Sequence, residues 1–103
     1  PMSEDREKPR PSGRGAVTVT KAPTTASRII EGEAVILSLD TKVLRGLNPV
    51  GSRAWELIDG QRSVDEIAGA IVKEFDVEPG RAVEDVGVFV QELLDKGLVV
   101  RVE

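Results

Sequence analysis

The apolar pattern changes period once along this chain. Between Ser27 and Leu47 it runs in short β-branched stretches: Arg28-Ile29-Ile30, then Ala34-Val35-Ile36-Leu37-Ser38-Leu39, then Lys42-Val43-Leu44-Arg45-Gly46-Leu47. Glu31-Gly32-Glu33 separates the first two, and glycine supplies the positive φ of a tight hairpin. Asp40-Thr41 is a second turn signal. Three short antiparallel strands in a meander are predicted. The third has no obvious fourth partner, so it is expected at an edge. Upstream, Val17-Thr18-Val19-Thr20 has strand composition, but Pro23 follows closely and at most a short edge segment is expected.

From Asn48 the period is helical. Asn48-Pro49 pairs a cap oxygen with a residue suited to the first helical position. Val50, Ala54, Trp55 and Ile58 follow at helical spacing, with Gly60 placed to end the helix. Ser63-Val64-Asp65-Glu66 is a capping box, and Val64, Ile67, Ala68, Ile71, Val72 and Phe75 form the stripe behind it. A third helix opens near Pro79 and closes at Gly97, with the stripe Ala82, Val83, Val86, Phe89, Val90, Leu93 and Leu94. Leu98–Val102 reads as a last short strand. The predicted class is α+β and winged-helix-like: a three-stranded antiparallel sheet, then three helices and a short C-terminal strand.

The first fifteen residues mix charge with Pro9, Pro11, Gly13 and Gly15 and offer almost nothing to bury. Residues 1–24 are therefore expected to be a disordered tail, with Pro1 before Met2 resembling a cloning scar, and residues 25–103 the folded domain. The chain has no His, no Cys and no Tyr. That closes off disulfides, thiolate or imidazole metal sites and triad bases. No cofactor and no enzymatic activity are expected. No stretch approaches the ~18–20 apolar residues of a membrane span, and nothing reads as a secretory signal. A cytoplasmic protein without membrane contact is expected.

Charge is uneven. The net charge is −4, yet residues 47–103 alone hold six cations and twelve anions. Three helices and a strand would suit a DNA reader, but the capped second helix offers Asp65, Glu66 and Glu74 against Lys73. A duplex would repel such a surface, so no nucleic-acid partner is expected. Glu56 with Asp59 and Glu84 with Asp85 are carboxylate pairs on solvated helix faces, with no apolar pocket indicated to raise a pKa. The glycines lack phosphate-loop spacing. Trp55 lies on the apolar side of its helix and reads as core.

Two features remain as candidate sites. On the third helix Arg81, Asp85, Val88 and Glu92 share the face away from the core stripe. Val88 there is either a plain exposed valine or the lining of a groove between that helix and the edge strand. The edge strand carries Lys42 and Arg45, which guard against aggregation and would also steer an acidic segment into register. An open strand edge is a template for an added peptide strand.

The run Leu47-Asn48-Pro49-Val50-Gly51, then Ala54-Trp55-Glu56-Leu57-Ile58-Asp59-Gly60, then Ser63-Val64-Asp65-Glu66-Ile67, resembles the PqqD family (coenzyme PQQ synthesis protein D). So do Asp85-Val86, Phe89, Leu93, the closing Gly97-Leu98-Val99 and the upstream Glu31–Leu37 region. The resemblance covers about residues 28–100. It implies a recognition element that holds the leader of a ribosomally made precursor peptide as an extra strand between the third strand and the third helix. Such domains present the core segment to a modifying enzyme such as a radical-SAM enzyme, a protease or a cyclase. By position the implied peptide-binding residues are Lys42, Val43, Leu44, Arg45 and Leu47 from the strand, with Arg81, Asp85, Val88, Phe89 and Glu92 from the helix. A protein–protein adaptor is the first alternative and a winged-helix DNA-binding protein the second, and a monomer or a domain-swapped dimer is compatible with the exposed strands.

Overall fold

The computed structural model describes residues 17–102. Its elements are β1 (Val19–Lys21), β2 (Thr25–Ile30), β3 (Glu33–Ser38), β4 (Leu44–Gly46), α1 (Pro49–Leu57), α2 (Val64–Glu74), α3 (Pro79–Asp95) and β5 (Val99–Arg101). The β2–β3 hairpin turns on Glu31-Gly32, with φ of +52° and +82°. Both central residues are left-handed, as a two-residue turn matched to strand twist requires. That turn sets the register Ile30↔Glu33 through Thr25↔Ser38. In β3 the pleat then buries Ala34, Ile36 and Ser38 on one face.

β4 pairs antiparallel with β3, Leu37↔Leu44 through Val35↔Gly46, and the sheet order β2-β3-β4 leaves β4 at an edge as expected. It is shorter than the predicted strand 42–47. Lys42 sits in the preceding turn with φ of +64°, and its N–H donates to the Ser38 carbonyl. Leu47 lies just past the strand.

The N-terminal boundary expected at residue 25 falls inside the packed unit. β1 pairs antiparallel with β5, Val19↔Arg101 through Lys21↔Val99, and Val19 is buried in the core. The Val64 and Gly60 N–H groups donate to the Val17 and Val19 carbonyls, so residues 17–21 are held by backbone bonds on both sides. Residues 1–16 of the expected tail lie outside the described residues.

All three helices start as their sequences dictate. Asn48 accepts from the Gly51 N–H at 2.7 Å with Pro49 behind it, and Ser63 and Glu66 complete a reciprocal capping box. Trp55 is 1% exposed at the centre of the core. Lys21 Nζ lies 5.2 Å from its ring centroid and donates to the Ile58 carbonyl at the end of α1. Burial pushes the Lys21 amine below its ordinary pKa, opposed by Asp59 and Glu56. Val83, predicted in the α3 stripe, is 41% exposed. It stands at the margin of the face that Ala82, Val86, Val90 and Leu93 define. No helix among the described residues is long and apolar enough to cross a membrane.

Candidate functional site

The parity of the β3–β4 ladder decides what the free edge offers. The Ser38 N–H donates to the Val43 carbonyl, and the Leu47 N–H donates to the Ala34 carbonyl. Inward bonds alternate along a strand, so Arg45, paired with Ile36, also bonds inward. The N–H and C=O groups of Leu44 and Gly46 therefore face away from the sheet. Leu44 is 66% exposed, and nothing approaches within 4 Å of where a Gly46 Cβ would stand. The edge is open.

One hydroxyl fixes this edge relative to α1. Ser52 Oγ accepts from the Ala34 N–H at 2.7 Å and donates to the Leu47 carbonyl at 3.2 Å. At the 34–47 pair it thus stands in for one direct ladder bond, and it ties the first turn of α1 to β3 and to the end of β4. Ser52 is fully buried, and both its hydrogen-bonding directions are used. Sequence reasoning did not single it out. Its signal is a serine on the buried face of a helix.

Two hollows lie near the edge, the smaller lined by β4 itself and the larger joined to it through the Arg45–Glu92 contact. The larger, about 630 Å³, lies between α1 and α3, with Val50, Gly51, Ala54, Val77, Val88 and Phe89 among its lining and Glu84, Asp85 and Glu92 beside them. Gly51 lies in its wall, where a Cβ would crowd the Asn48 cap oxygen at 3.1 Å and meet the Phe89 ring in ordinary contact at 3.8 Å. The smaller, about 450 Å³, is formed by Ile36, Thr41, Val43, Leu44, Arg45, Lys96 and Leu98. Between them Arg45 Nη2 meets Glu92 Oε1 at 3.5 Å, joining β4 to α3. The pocket that the sequence did not indicate is thus present, built by α1 side chains that periodicity assigned to a core face.

The expected site residues divide accordingly. Val43, Leu44 and Arg45 lie at the edge; Asp85, Val88, Phe89 and Glu92 line the larger hollow, with Val88 47% exposed. Lys42 is exposed in the adjoining turn. Leu47 is 8% exposed with its N–H paired, so it braces the edge from within the core. Arg81 is paired with Asp85 at 3.4 Å and does not line the hollow. Val50, Gly51, Ala54 and Lys96 were missed. Away from the groove, Arg53 grips Glu74 through two hydrogen bonds of 2.7 and 3.1 Å, tying α1 to α2. The same hydrogen bonds hold the Glu74 carboxyl below its ordinary pKa. Among the described residues no three His, Cys, Asp or Glu side chains cluster as a metal site would require.

Fold and site together define a class: a small winged-helix-like domain with an open strand edge running beside an apolar groove. The sequence profile described as Coenzyme PQQ synthesis protein D (PqqD) matches residues 33–99, and the chain belongs to that family. It is similar to the solved structure of TbiB1 in complex with the TbiA(beta) leader peptide, at 32% identity and a TM-score of 0.72, covering 78% of this chain and 93% of that one. It is also similar to lasso peptide synthetase B1 complexed with the leader peptide, at 18% identity and a TM-score of 0.72, covering 80% and 96%. The second likeness speaks for the fold alone. No curated protein matches the chain.

Proposed function

We propose that this protein binds the leader segment of a ribosomally made precursor peptide as an added strand on β4 and holds the core segment for a modifying enzyme. The observation that carries the reading is the open edge at Leu44 and Gly46 together with two hollows, one lined by Val43 and Leu44 and a larger one reached from β4 through the Arg45–Glu92 contact. Backbone bonds supply register and the hollows supply side-chain specificity, which is how strand-addition sites work. A protein 32% identical to this chain was solved holding a leader peptide. Lys42, Val43, Leu44 and Arg45 form the strand side of the site, and Asp85, Val88, Phe89 and Glu92 the helix side. The modifying partner is a radical-SAM enzyme, a protease or a cyclase, the types that accompany this family. Ordering a flexible leader costs a few kcal/mol of the gross interaction, so a Kd of about 1 μM or somewhat tighter is expected.

The test is a ¹⁵N-HSQC titration of the full chain with the leader of a precursor peptide encoded beside it. Saturable shifts concentrated on residues 42–46 and 85–92 are expected. Absence of shifts, while the intact precursor and its enzyme still bind, would replace this reading with a protein–protein adaptor.

A further inference from the structure

The groove is not electrostatically uniform, and this bears on which leaders it takes. At the α1–α3 end the apolar lining is accompanied by Glu84, Asp85 and Glu92, and no cation among the described residues lines that hollow. Glu84 has no ion-pair partner among the described residues, whereas Asp85 and Glu92 are matched by Arg81 and Arg45. At the other end Arg45 and Lys96 line the smaller hollow with no carboxylate, and Lys42 adjoins it in the chain. Arg45 is not satisfied by Glu92. Their contact is a single one of 3.5 Å, and Arg45 Nε is buried with no hydrogen-bond partner. Nε is enclosed, so the terminal nitrogens, of which Nη2 makes only that one long contact, are the donors left to bind a second carboxylate.

Resting on the strand-addition reading above, we infer that the leader this chain recognises is charge-segregated. It carries an apolar anchor beside a Lys or Arg, placed over the α1–α3 hollow. It carries an Asp or Glu at the other end, where Arg45 and Lys96 line the smaller hollow and Lys42 stands in the adjoining turn. The spacing follows from the helix. Asp85 and Lys96 stand eleven residues apart along α3 and its C-cap, about 16 Å at a rise of 1.5 Å per residue. An extended peptide rises about 3.4 Å per residue, so the two charges lie about five residues apart. The polarity also ties charge order to direction: a leader with its charges in the reverse order can reach the same two hollows only by running the other way along β4. Charges at the rim of such a groove act chiefly on selectivity and association rate.

The experiment is selection of phage-displayed random peptides of about 12 residues, long enough to span the groove, on the full chain. Clones that also bind the Leu44→Pro or Val88→Asp variant are discarded, after thermal unfolding has shown that each variant is folded. A parallel selection uses the charge-inverted protein Lys42→Glu, Lys96→Glu, Glu84→Lys, Asp85→Lys. Wild-type selection is expected to enrich an apolar residue next to Lys or Arg, with Asp or Glu about five positions away in one fixed order. The inverted protein is expected to enrich the reverse order. Wild-type clones should bind it about tenfold more weakly at about 50 mM salt, with the gap narrowing as salt screens the charges. Edge-dependent peptides without a charge order, or with the same order on both proteins, would overturn this inference and leave strand addition standing. No edge-dependent peptide from either selection would overturn strand addition itself.

Discussion

Proline in place of Leu44 tests strand addition at its most exposed donor. The ladder bonds at Val43 and Leu47 face β3, so the Leu44 N–H faces away from the sheet. Edge strands tolerate proline where that N–H meets solvent. The exposed leucine side chain gives up little packing, so the folded protein should lose less than about 1 kcal/mol. An added strand meets a different situation. Leu44 and Gly46 together offer it four backbone groups, each worth about 0.5–1.5 kcal/mol net when bonded. Proline deletes one donor, and its ring holds the incoming strand away from a second. The expected loss is about 1–3 kcal/mol, roughly five- to 150-fold in Kd.

The matching control is Arg45→Pro, which removes an inward bond to Ile36 and should damage the fold. Isothermal titration against a leader peptide reads binding, and thermal unfolding reads the fold. Wild-type affinity in Leu44→Pro would refute strand addition at this edge. A Leu44→Pro protein that unfolds as readily as Arg45→Pro would refute the ladder parity from which the edge was derived.

Val88→Asp should weaken leader binding at least tenfold, since it sets a charge against an apolar lining; circular dichroism should be unchanged because Val88 lies off the core face, and a collapse of helicity would show that it does not. Ser52→Ala should destabilise the protein by about 1–3 kcal/mol in urea unfolding, because it strips both the Ala34 N–H and the Leu47 carbonyl of a buried partner; an unchanged midpoint would mean that a water takes the hydroxyl's place. Glu74 and Asp59 both have folded pKa values below their ordinary ones, Glu74 through the Arg53 hydrogen bonds and Asp59 through the Arg62 and Gln61 N–H groups. Their contribution is therefore whole at neutral pH and is lost as pH falls below 4.5 for Glu74 and below 3.8 for Asp59, towards their folded values; Glu74→Gln should flatten the acid limb of stability against pH, and an unaltered limb would show that the Arg53 pair contributes nothing.

Much of this protein was legible because its signals are local. The capping box at Ser63, the Asn48-Pro49 start and the Glu31-Gly32 turn each specify backbone geometry within four residues. The helical stripes named most of the core, Trp55 included, and the β-branched runs placed β2 and β3. Even the open edge of β4 followed from strand order, since a meander that turns into helices leaves its last strand unpaired.

What the sequence could not carry is whatever depends on two distant segments meeting. Val19–Lys21 is too short to declare itself a strand, and it becomes one because β5, some eighty residues later, supplies its partner. The larger hollow exists because α1 and α3 meet at Gly51 and Phe89, and a valine such as Val50 reads the same in a sealed core or on a groove wall. Ser52 bridging a strand pair, and Arg45 reaching Glu92 without satisfying its own Nε, are likewise properties of side chains brought together from separate elements. Periodicity and capping fix φ and ψ over a turn or two and so determine the elements. Contact between elements is fixed by packing over the whole chain, and the groove proposed to hold the leader is made of such contacts.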